Sequence, residues 1–103
     1  MAVVEMIRPL DFSGYNIPGH TQDALRRYIE QRIFPGGFLT AVLSNNLFEA
    51  VGQADSDNIK AIPDIVKFIY NRVPADAWGS REKMEAWTRR TLFKTFDKPE
   101  KKV

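Results

Sequence analysis

Asp55-Ser56-Asp57-Asn58-Ile59-Lys60-Ala61-Ile62-Pro63-Asp64-Ile65-Val66-Lys67-Phe68-Ile69-Tyr70-Asn71-Arg72-Val73-Pro74 is the stretch on which the fold reading turns. Ile59, Ile62, Ile65, Val66, Ile69, Tyr70 and Val73 recur at helical spacing. Asp55, Ser56 and Asp57 supply capping oxygens and negative charge where a helix N-terminus wants both. Pro63 lies inside this pattern. It removes one backbone hydrogen bond and crowds the carbonyl of Ile59, so the reading allows a kink there or a short turn before a helix that starts at Pro63. Pro74 and Gly79 end the element.

Working outward, Thr21 is expected to cap a helix over 22–33, with Leu25, Tyr28, Ile29 and Ile33 on its apolar side and Arg26, Arg27, Glu30 and Arg32 between them. Pro35-Gly36-Gly37 breaks the chain. A second helix is then predicted from Phe38 to Ala54 through Leu39, Val42, Leu43, Leu47, Ala50 and Val51. Ser80 caps a last helix with Met84, Trp87, Thr88, Thr91 and Leu92 on one side, and Asp97 to Val103 fray as a flexible basic tail. The first twenty residues carry Pro9, Gly14, Pro18 and Gly19, which block helix and predict an extended arm. Its apolar residues Val3, Val4, Met6, Ile7, Phe12 and Tyr15 are expected to lie on this subunit or on a neighbouring one. The fold class that results is all-α: a compact bundle of about four helices over 21–96, with an extended N-terminal arm over 1–20 and a tail over 97–103.

The chain has 103 residues, enough for one domain with one modest core. Its 44% hydrophobic and 27% charged residues are ordinary globular proportions. A formal charge of +2, much of it in the tail, disfavours nucleic acid as a partner. The absence of Cys excludes disulfides, thiolate metal sites and Cys nucleophiles. Met1 to Pro9 lacks the pattern of a signal peptide, and no apolar run reaches the roughly 18 residues of a membrane span. A soluble protein of the cytoplasm is expected.

Enzyme chemistry is not expected. A single His and no Gly-flanked Ser leave few routes to an activated nucleophile or tuned base. His20 is expected to be exposed or to serve a helix cap, and Glu49, Asp55, Asp57 and Asp64 do not have the spacing of a known cation loop. No cofactor is expected. On a helical wheel of the second helix, Asn46 falls between Val42 and Leu39, inside the apolar arc, where it must be satisfied by backbone or by a ligand. The same wheel turns Phe48 away from its core stripe, and Phe68 lies off the stripe of the third helix. Two outward phenylalanines favour self-association. Tyr70-Asn71 and Trp78-Gly79-Ser80 gather stacking faces and amides near helix ends, a combination suited to planar ligands. Gly36-Gly37 opens the second helix in the same manner, with Arg26, Arg27 and Arg32 upstream. A turn at Gly36-Gly37 and a core plug at Trp78 are the simpler readings.

Pro35-Gly36-Gly37-Phe38-Leu39, then Ala41-Val42-Leu43-Ser44-Asn45-Asn46-Leu47, Ala54-Asp55 with Asn58, Tyr70-Asn71, Pro74, Trp78-Gly79-Ser80 and Trp87 together resemble a family of small helical proteins encoded by phages and prophages. The likeness spans about residues 18–90. It implies residence in the cytoplasm of a bacterial host. By analogy of size and style with phage anti-defence proteins, the leading expectation is an oligomeric sponge. It would sequester a cyclic nucleotide or ADP-ribose-type signal with Asn45, Asn46, Asp55, Asn58, Tyr70, Asn71, Trp78, Gly36, Gly37 and Arg27. The alternative is a protein-binding inhibitor of a host enzyme that uses Phe48 and Phe68, or the arm. A third reading is a small DNA-binding protein acting through Arg81, Lys83, Arg89, Arg90 and Lys94.

Overall fold

The computed structural model describes residues 10–89, which form five α-helices and one short 3₁₀ turn and contain no strand. The all-α class is therefore as expected. In chain order the elements are α1 (Gly19–Gln31), α2 (Gly37–Leu43), α3 (Leu47–Gln53), α4 (Ser56–Arg72), the 3₁₀ turn Ala75–Ala77, and α5 (Arg81–Arg89).

The centre of the molecule is the seam between α1 and α4. Leu25, Tyr28 and Ile29 of α1 and Ile65, Phe68 and Ile69 of α4 are buried together, with Leu39 and Leu43 of α2 and Met84 and Trp87 of α5 closing over them. Three hydrogen bonds cross this core. Thr21 donates its hydroxyl to Asn58 Oδ1 at 2.6 Å, Tyr28 donates its phenol to the Ala77 carbonyl at 2.6 Å, and Trp87 donates its indole N–H to the Tyr28 carbonyl at 3.2 Å. Each joins elements far apart in sequence, so each fixes orientation as well as satisfying a buried group.

Thr21 is thus not the cap of α1. The helix begins two residues earlier, after Pro18, whose carbonyl receives the N–H groups of Thr21 and Gln22, and Thr21 turns inward. At the other end Arg32 adopts φ 63°, the left-handed region, which stops the helix at Gln31 and leaves Ile33 outside it and exposed. Arginine is an uncommon residue there. Its guanidinium lies 3.9 Å from the Trp87 ring centre, a contact that helps to hold the conformation.

The expected second helix is two. The chain breaks at Ser44–Asn46, with Asn45 at φ 66° and Asn46 as the N-cap of α3, accepting the Glu49 N–H on its side-chain oxygen. Asparagine suits both positions, one for its tolerance of left-handed backbone and the other for its capping oxygen. The break corrects the wheel drawn through Asn46, which is exposed; the buried amide is Asn58, held by Thr21. It also re-aims α3. Leu47 and Val51, expected in the core, are exposed, and only Ala50 of this helix is buried.

Phe68 is a second correction. It is fully buried, because the arm lies across it: the Phe12 ring stacks on it at 4.3 Å and Tyr15 meets its edge at 5.3 Å. The Asn16 N–H donates to Asp64, Asn71 donates to the Tyr15 hydroxyl, and the Leu10 N–H reaches Glu30. The described part of the arm therefore docks on its own subunit; Val3, Val4, Met6 and Ile7 lie outside the described residues, as do Thr91, Leu92 and the tail.

α4 runs without interruption through Pro63, so neither starts nor ends there. Pro63 and Ile59 are both exposed, which places the carbonyl that lacks its partner where water can reach it. Since no core contact requires the ring, Pro63→Ala is expected to stabilise the protein by about 1–3 kcal/mol, by restoring the helical bond and removing the proline penalty. Thermal unfolding measures this directly, and a lower melting temperature for the variant would contradict the account of α4.

Candidate functional site

Phe34, Pro35 and Gly37 on one side and Asn46, Glu49 and Gln53 on the other enclose a cleft of about 500 Å³. Thr40 and Ala41 of α2, Ser44 just past its end and Arg81 of α5 complete the lining. The hairpin of α2 and α3 creates it: the turn at Asn45 brings Glu49 and Gln53 back over the start of α2. The approach is close, and a β-carbon at Gly37 would collide with the Gln53 side chain.

The wall groups are largely engaged with their own chain. Thr40 and Ser44 donate their hydroxyls to the carbonyls of Pro35 and Ala41, and Gln53 donates to Glu49 at 3.0 Å. Arg81 pairs with Glu85 at 3.3 Å and lies over the Phe34 ring at 4.9 Å. It is the one cation among the lining residues, and Glu49 is an acid facing the same space. A cleft so balanced is a poor trap for a doubly anionic ligand, because the single guanidinium is already partly neutralised.

Of the residues expected to bind a ligand, Gly37 and Asn46 line this cleft, with Gly36 as the N-cap of α2 beside it. Asn45 sits in the adjacent turn. The others are elsewhere. Asn58 is committed to Thr21 in the core. Asp55 caps α4, accepting from the N–H groups of Asp57 and Asn58, and faces His20 Nε2 at 3.3 Å. Asn71 bonds the arm. Trp78 is half-buried with its indole N–H on the Val73 carbonyl, and the exposed ring of Tyr70 stands 6.1 Å from it. Arg27 is exposed on α1. The ten do not converge on one place.

His20 is exposed, as expected, and serves the capping carboxylate of Asp55. Among the described residues no group of three or more His, Asp or Glu side chains is placed to hold a metal ion, and no helix is long and apolar enough to cross a membrane. Arg81, Lys83 and Arg89 are exposed on α5; Arg90 and Lys94 lie outside the described residues.

The most unusual surface is on the other side of α3. Phe48 is 89% exposed, Leu47 62% and Val51 48%. With Ala50 turned inward and Glu49 and Gln53 turned to the cleft, these three form a convex apolar knob. Phe48 was legible from the sequence as an outward residue. The knob as a whole was not, although Asn46 followed three residues later by Glu49 is the signature of a new helix start. Phe34 carried no sequence signal and Arg81 was noted only within a basic helix face, because the two meet only through tertiary packing. No protein family, characterised protein or solved structure matches the chain.

The Asn58 backbone N–H, with lesser help from His20, holds the Asp55 carboxyl below the usual carboxylate range. A group whose folded pKa is depressed contributes stability that is complete above its unfolded value and is lost as pH falls through the folded one. Asp55→Asn keeps a capping oxygen without the charge. The wild type is expected to melt higher at neutral pH, with the difference closing or reversing in acid; a constant difference down to low pH would contradict this role.

Proposed function

We propose that the protein is a phage-type accessory protein that works by stoichiometric binding to a partner protein of the host, which it inhibits, through the apolar knob of α3. The observation that carries this reading is Phe48, 89% exposed and flanked by two further exposed apolar side chains. A convex aromatic anchor is the counterpart of a pocket on another macromolecule, whereas small ligands are taken up in concave sites. Large apolar side chains gathered in one exposed place mark interaction surfaces in soluble proteins. The resemblance to phage and prophage proteins supports the host context.

Phe68 has no part in this surface, being closed under the arm. The case for self-association that rested on two outward phenylalanines now rests on Phe48. Uptake of a nucleotide-like signal by an oligomer is the second reading, and the cleft between α2, α3 and Arg81 is the feature that favours it. Its charge balance weighs against a cyclic dinucleotide. Calorimetry against cyclic dinucleotides and cyclic ADP-ribose isomers tests that reading, and heat changes abolished by Arg81→Ala would support it.

For the leading reading, tagged wild-type protein is expected to retain one stoichiometric partner from host extract. Phe48→Asp is expected to lose that partner while shifting folding stability by no more than about 0.5 kcal/mol, since the residue touches no core side chain. Retention of the same partner by the variant would exclude the knob as the binding surface.

A further inference from the structure

α4 carries two apolar faces. Asn58, Ala61, Ile65, Phe68 and Ile69 face the core, and the arm lies along the side that holds Phe68, Asp64 and Asn71. On the opposite side Ile59, Val66 and Tyr70 are exposed at 41%, 48% and 73%, with Ile62 half-buried and Pro63 exposed among them. Positions 59, 62, 66 and 70 follow the spacing of a helix–helix seam, and the stripe runs for about 17 Å, three helical turns. A core helix needs no such second stripe.

The exposed charges along the edge of this stripe are lysines; Asp64, one turn from each, is turned to the arm and accepts the Asn16 N–H. At 100° per residue Lys60 and Lys67 fall roughly 40–60° beyond Pro63, one above the other and one heptad apart. Both are exposed. The ion pairs formed among the described residues, His20–Asp55, Arg26–Asp23 and Arg81–Glu85, use neither of them. Charges in this relation to an apolar seam are the positions that select partner and orientation in paired helices.

They also argue against a second copy as the occupant. Paired antiparallel about the midpoint between Ile62 and Pro63, Lys60 of one copy would stand about 3 Å along the axis from Lys67 of the other. A parallel pairing sets the lysine edge of each copy against the other edge of its partner, which carries Ile62 and Ile69 and no acid. The antiparallel arrangement opposes like charges across the seam, which costs affinity, and the parallel one leaves the lysines without acids to meet. A helix with acidic residues at the facing positions relieves both.

We infer that the outer stripe of α4, edged by Lys60 and Lys67, is a docking track for an amphipathic helix of a partner protein that carries Asp or Glu one heptad apart along one edge. The track rests on α4 alone and extends the binding reading to a second surface, independent of the α3 knob. The partner helix lays its apolar face on Ile59, Ile62, Val66 and Tyr70, and its acidic edge meets the two ammonium groups.

A yeast-displayed library of four-turn helices, with leucine fixed at the seam positions and the flanking positions randomised, tests this when sorted on the full chain at low ionic strength. Enriched helices are expected to carry Asp or Glu seven residues apart on one flank. Their affinity is expected to fall about tenfold with Lys60→Glu combined with Lys67→Glu, a size in keeping with reversing two exposed pairs. Exchanging their acids for lysine should restore binding to that double variant, and Phe48→Asp should leave it unchanged. Lys60→Gln with Lys67→Gln supplies a milder pair whose melting temperature checks the fold. No enrichment, enrichment without an acidic edge, or indifference to the lysine changes would overturn the proposal. Binders lost with Phe48→Asp but blind to the lysines would overturn it too, while leaving the α3 reading intact.

Discussion

Phe68 belongs to the core on the side of α4 that the arm covers, and its burial depends on a segment that is not helical. Without Phe12 stacked on it and Tyr15 at its edge, α4 would present apolar residues around most of its circumference. The arm is therefore a structural part of the core. Arg26 over the Phe12 ring at 4.9 Å and Arg72 over Tyr15 at 5.7 Å cover the arm in turn, so its aromatic side chains are enclosed from both sides. A chain of this length builds one small core, and each large side chain that closes it carries a considerable share of the stability.

The arm closes one flank of α4, and nothing among the described residues closes the other in the same way. That asymmetry gives the molecule its surface character. The sequence spends Val, Ile, Leu, Phe and Tyr on the outer sides of α3 and α4 although the core is already filled by Leu25, Tyr28, Ile29, Ile65, Phe68 and Met84, each buried almost completely. The exposed parts of these side chains add nothing to the stability of the isolated chain. In the proposed reading they serve contact with other molecules, and the cluster on α3 and the linear stripe on α4 would make two different kinds of contact.

Much of the fold could be read from periodicity and caps. Asp55 and Ser80 are the caps they were expected to be, and the stripe through Ile65 and Ile69 faces the core. The errors share a cause. A wheel drawn through residues 38–54 assumes one continuous helix, and a single left-handed residue at Asn45 rotates everything after it. Thr21 and Phe68 were misplaced because their environments come from Asn58 and Phe12, 37 and 56 positions away, and no local pattern reports such a contact. The ligand set failed for the same reason. Amides and aromatics that cluster in sequence are divided in space among a cap, a core bond, an arm contact and a cleft.

The central claim is that α3 and the outer side of α4 are where this protein meets its partner, and that the polar cleft is not. Photo-crosslinking from single benzoylphenylalanine residues, placed in turn at positions 48, 66 and 40 of the full chain expressed in the proposed bacterial host, addresses it most directly. Discrete heavier adducts with a protein from positions 48 and 66, and none from position 40 in the cleft, are the predicted result. Adducts confined to position 40, or none from either helix, would contradict the account.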